Sequence, residues 1–129
     1  MTTTTVLRFV TQATHPPFGH RTGVFQIAYE IHGASPWMTS LGEQLQWFEQ
    51  SLKTPARLSV SRHPRAKETA LSWVKATAIE HVERLRALVS MVEAISDVRL
   101  EELRTDRPEY VVFEDEHQVV ALPFADTPR

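Results

Sequence analysis

Apolar and polar positions recur with two periods along this chain, and the switches between them outline its elements. Residues 6–10, Val-Leu-Arg-Phe-Val, are branched and aromatic between polar neighbours and read as an opening strand. Two prolines and two glycines within residues 15–23 make the next stretch a loop. In residues 24–32, Phe25, Ile27, Tyr29 and Ile31 alternate as in a strand, whereas Val24, Phe25, Ala28 and Ile31 keep helical spacing. Gly23 and Gly33 fit either reading, and the helical one is preferred. Ser40-Leu41-Gly42-Glu43 has the S-x-x-E form in which serine and glutamate each satisfy a free amide at a helix start. Leu41, Leu45, Phe48 and Leu52 then recur at helical spacing until Thr54-Pro55 stops the run.

Residues 57–61 alternate polar and apolar with β-branched character, as a second strand would. Pro64 suits a first helical turn, and Leu71, Val74, Ala78, Val82, Leu85, Leu88, Val92 and Ile95 then form one stripe. The spacing predicts a single amphipathic helix over 64–96, about 45–50 Å long, with one end projecting past the core. Residues 98–103 predict a strand and Thr105-Asp106-Arg107-Pro108 a turn. Residues 110–113 and 118–122 flank Glu114-Asp115-Glu116-His117 as a β-hairpin with a charged tip. The order β-α-α-β-α-β-β-β predicts one α+β domain over residues 1–129. Its antiparallel or mixed sheet, of about five strands, packs on the long helix and on one or two shorter helices. Both hairpin strands are apolar on successive residues, so they are covered on both sides or meet a partner chain.

Composition narrows the chemistry more than the fold. A chain of 129 residues builds one core, and the absence of cysteine excludes disulfides, thiolate zinc sites and cysteine nucleophiles. That absence fits a reducing cytoplasm. No basic-then-apolar leader opens the chain and no run approaches the roughly 18 apolar residues of a membrane span, so a whole, cytoplasmic protein without membrane contact is expected. The net charge of −2 conceals an asymmetry. Residues 53–75 carry six bases against one acid, and residues 93–126 carry ten acids against three bases. Such blocks bind opposite charge elsewhere, face one another, or stay solvated.

The strongest local candidate is Arg62-His63-Pro64-Arg65-Ala66-Lys67, at the entrance of the predicted helix. Free amides there favour an anion, and guanidinium groups add bidentate contacts, so Arg62, His63, Arg65 and Lys67 form an anion-binding candidate for phosphate or nucleic acid. The competing reading is a solvated basic loop, since no glycine-rich phosphate cradle is present. Trp37, Trp47 and Trp73 serve either as stacking surfaces for a single strand or, the preferred reading, as packing residues. His81, at the margin of the stripe, reads as a partly buried packing residue. Asp115 and His117 at the hairpin tip allow a weak cation site, against the plainer reading of a charged turn. No paired-ligand spacing such as H-E-x-x-H and no nucleophile elbow occurs, so no metal, cofactor or catalytic set is expected.

Arg107-Pro108-Glu109-Tyr110-Val111-Val112-Phe113-Glu114-Asp115-Glu116-His117-Gln118-Val119-Val120-Ala121 resembles the ending of a family of small uncharacterised bacterial proteins. Leu71-Ser72-Trp73-Val74-Lys75, with Glu80-His81 downstream, resembles the helical motif of the same family, and the resemblance extends from Leu7 to Thr127. It implies one intact bacterial domain and carries no activity, cofactor or catalytic residue with it. Glu109 stands where the family prefers glycine, which implies a less tight turn. The leading expectation is therefore a non-enzymatic interaction module that self-associates as a homodimer or docks a protein partner. Its interface would be Tyr110, Val112, Phe113, Val119 and Val120; recognition of phosphate or nucleic acid is the alternative.

Overall fold

The computed structural model describes residues 5–15, 20–52, 70–108 and 110–122. Along them run β1 (Val6–His15), β2 (His20–Gly23), α1 (Val24–Ala34), α2 (Thr39–Ser51), β3 (Leu71–Lys75), α3 (Ile79–Ile95), β4 (Glu101–Thr105), β5 (Val111–Glu114) and β6 (Gln118–Ala121). The fold is α+β, with a six-stranded sheet whose order is β2-β1-β3-β6-β5, β4 pairing with β1 as well. Every pairing is antiparallel. Among the described residues no helix is long and apolar enough to cross a membrane.

β1 organises the sheet because it has three partners. Val6 and Leu7 pair with Lys75 and Val74 of β3, residues 6–10 pair with β4 from Thr105 back to Glu101, and Val10 onward pairs with β2. Strict alternation sends Val6 and Val10 to one face and Leu7 and Phe9 to the other, so a strand between neighbours must be apolar on both. All four are buried. Val6 and Val10 join Leu71, Trp73, Leu103, Val119 and Ala121 in one cluster, and Phe9 with Val74 joins the helices in another.

Each helix buries one stripe against that second cluster. Val24, Ile27 and Ala28 do so from α1, Leu41, Leu45 and Phe48 from α2, and Leu85, Leu88, Val89 and Val92 from α3. The Phe25 and Phe48 rings meet edge to face at 4.9 Å, which locks α1 to α2. The capping box expected at Ser40 does not form: the helix starts at Thr39, its cap position is Met38, and no side chain bonds the cap. α3 ends on Ser96, whose amide and hydroxyl both donate to the Val92 carbonyl.

The largest departure from the sequence pattern is the single helix expected over 64–96. Residues 71–75 are a strand, Ala76 to Ala78 turn the chain, and the helix begins only at Ile79. Leu71, Val74 and Ala78 satisfy three-and-four spacing, yet Leu71 and Trp73 are buried while Ser72 between them is exposed. Alternation governs there because β3 lies between β1 and β6. The helix is thus 17 residues long, and residues 71–75, expected within it, form a central strand. The loop expected over 15–23 includes strand residues: β1 continues to His15 and returns as β2 from His20. The strand expected over 57–61 lies outside the described residues. Residues 24–34 are helical and the hairpin forms as expected. The strand expected over 98–103 occupies 101–105.

Candidate functional site

The predicted anion cluster, Arg62, His63, Arg65 and Lys67, lies outside the described residues. The five predicted interface residues divide. Val112, Val119 and Val120 are buried within the chain's own clusters and Phe113 is half-buried, whereas Tyr110 keeps 58% of its surface and its neighbour Val111 keeps 45%. β5 pairs with β6 through Val111–Ala121, Phe113–Val120 and Glu114–Val119, with a bulge between Val111 and Phe113. The pairing is extended by a reciprocal pair of backbone hydrogen bonds between Tyr110 and Leu122. Among the described residues β6 is the only strand paired with β5, so its other edge is the end of the sheet.

The hairpin tip is a built turn. The Asp115 carboxylate accepts hydrogen bonds from the amides of His117, at 2.8 Å, and Gln118, at 3.0 Å, and its second oxygen accepts from the Gln118 side chain. Burial raises the Asp115 carboxyl, but these bonds and the charge of His117 outweigh it and hold the group below the ordinary value of 3.8. The Lys75 amide donates to the His117 carbonyl, and the Lys75 ammonium pairs with Glu114. The tip is thereby fixed to β3 on one side.

On the other side it meets the helices. The His117 ring stacks on the His81 ring with centroids 4.1 Å apart and planes 18° from parallel. His81, in the first turn of α3, is 7% exposed, and its Nε2 lies 2.8 Å from the Ser51 carbonyl oxygen. A carbonyl only accepts, so Nε2 carries the hydrogen and donates; in the neutral ring Nδ1 then bears the lone pair. Trp47 meets His81 edge on at 4.8 Å, and the Arg84 guanidinium lies over Trp47 at the same distance. Trp47, Gln50, Ser51, Glu80, His81, Asp115, Glu116 and His117 enclose a cleft of about 410 Å³. Three of these residues are carboxylates and none is lysine or arginine. A second cavity, of about 260 Å³, opens where β2 turns into α1, between Arg8, Phe9, Gly23, Val24 and Leu71.

The sequence pattern placed His81 at the edge of a packing stripe and His117 on a charged turn. Their juxtaposition has no sequence signal, because 35 residues separate them along the chain. Trp73 is buried to 1%, in the packing role preferred for it, whereas Trp37 keeps 72% of its surface in the turn between α1 and α2. Among the described residues no group of three or more histidine, aspartate or glutamate side chains is arranged to hold a metal ion. No protein-family model, no curated protein and no solved structure matches this chain.

Proposed function

We propose that this chain is a cytoplasmic, non-enzymatic interaction module that offers the outer edge of β5 to another β-strand, first of all to that of a second copy. One observation carries the reading: Val111, the first residue of β5, and Tyr110 just before it expose large apolar surfaces beside a strand whose far edge ends the sheet. Open edges present unpaired amides and carbonyls, and adding a strand to such an edge is a recurrent mode of protein recognition. β4, another strand with a single partner, supports the contrast. Glu101, Glu102 and Arg104 load it with charge, and Glu102 pairs with Arg86 and Arg104. Charge of this kind discourages edge pairing, and β5 carries it only at its last residue, Glu114.

The bulge at Val111–Phe113 and the four-residue length keep the pairing surface small, so a reversible association is expected. Sedimentation velocity over a wide concentration range tests it. The wild-type mass average should rise with concentration, and Val111→Lys should hold the protein monomeric at every concentration without loss of helix or strand signal. A wild type that stays strictly monomeric would refute self-association by this edge.

A further inference from the structure

We infer that the stacked His81–His117 pair is a proton-operated latch that holds the hairpin tip against α3 while at most one ring is charged and releases it when both are. The inference does not rest on self-association, since it concerns the tip and not the edge of β5. Its basis is geometric. Two imidazoles face one another at 4.1 Å, one from the helix and one from the turn. Neutral rings stack favourably, and a single imidazolium is tolerated by a neutral partner. Two imidazolium rings at that distance repel one another, and His81 is too buried for water to screen its charge well.

The surroundings set the direction of the response. From the hairpin come Asp115 and Glu116, with Glu114 engaged by Lys75 of β3. From α3 come Glu80 and Arg84, the latter lying over Trp47. α2 contributes the Trp47 ring, Gln50 and Ser51, whose carbonyl takes the His81 Nε2 hydrogen. A proton on each ring brings two like charges together, and the short turn parts from the 17-residue helix. The stack then parts, and the bond from the Lys75 amide to the His117 carbonyl goes with it. Imidazoles are the groups that change charge near neutral pH, so release belongs to mild acidification.

Amide hydrogen exchange read residue by residue on the full chain tests this, corrected for the intrinsic pH dependence of exchange. Between about pH 8 and about pH 5, protection of the Lys75 amide should fall about tenfold or more, while that of Val89 inside α3 stays level. His117→Phe keeps a ring in the stack without a second charge, and should hold Lys75 protection constant across the same range. Should that variant be globally destabilised, His117→Ala, which removes stack and charge together, should leave Lys75 weakly protected and equally so at both ends. Unchanged Lys75 protection in the wild type, or an undiminished acid response in His117→Phe or His117→Ala, overturns the latch. Neither result bears on association through β5, which is read from mass at fixed pH.

Discussion

At the residue scale, two helical glycines make opposite demands. A Cβ on Gly33 would meet nothing within 4 Å, whereas one on Gly42 would sit 2.8 Å from Nε2 of His32. Glycine inside a helix costs about 0.5–1 kcal/mol relative to alanine. Gly33→Ala should therefore raise the urea midpoint, and Gly42→Ala should raise it less or lower it, because α1 and α2 approach so closely there. Adding His32→Ala to Gly42→Ala should recover the difference, and equal effects of the two single changes would contradict that packing. Tyr29 gives a residue-scale pH effect. Burial, then the hydrogen bond to Glu49 at 2.7 Å and the charge of that carboxylate, push its phenol up to about 12 from an ordinary 10.0. The folded state holds this proton more tightly, so the contribution to stability is complete below about pH 10 and is lost as pH rises toward about 12. Tyr29→Phe should flatten the alkaline limb of stability in that window, measured by urea unfolding at stepped pH. An unaltered slope would show that the pair with Glu49 adds nothing.

At the scale of elements, the turn of the hairpin has its own energetics. The Asp115 carboxyl is held below 3.8 by the hydrogen bonds that close the turn, so the folded state sheds this proton more readily. Its contribution is present above that ordinary value and disappears as pH falls through and below it. Asp115→Asn retains an acceptor for the two amides and removes the charge. It should cost about 1 kcal/mol near neutrality and make stability less sensitive to acid below about pH 4, read from unfolding midpoints. The elements themselves were unequally legible in the sequence. α2 and the hairpin were readable because stripe spacing and a charged tip are local signals that tertiary contacts left undisturbed, whereas residues 24–32 carried both periods and only packing against α2 and α3 decides for the helix. β3 was not, because Leu71, Val74 and Ala78 fit a helix by spacing, and only the neighbours β1 and β6 decide that Trp73 must point to one face and Val74 to the other. The start of α2 moved for a related reason: no side chain closes its first turn, so the serine-glutamate pattern had nothing to enforce it. The histidine pair was illegible altogether, since stacking across a helix and a turn leaves no periodicity.

At the scale of the molecule, the outer strands β4 and β5 differ in what they permit. On β4, Glu102 gathers Arg86 from α3 at 2.8 Å and Arg104 from its own strand at 3.1 Å, so the edge is tied down and charged. On β5 the ion pair is Lys75–Glu114, at the hairpin end of the strand, and that asymmetry makes Val111→Lys a sharper test than any change on β4. The central position of β1 has a consequence in time. Its first residue pairs with Thr105, almost the whole described length of the chain away, and closing so long a loop is slow compared with forming any of the helices. A ribosome making this chain emits β1 well before β4. Val6, Leu7, Phe9 and Val10 must wait while α1, α2, β3 and α3 are made before the strand that covers that edge exists, and that interval is when this sequence is most open to a wrong partner.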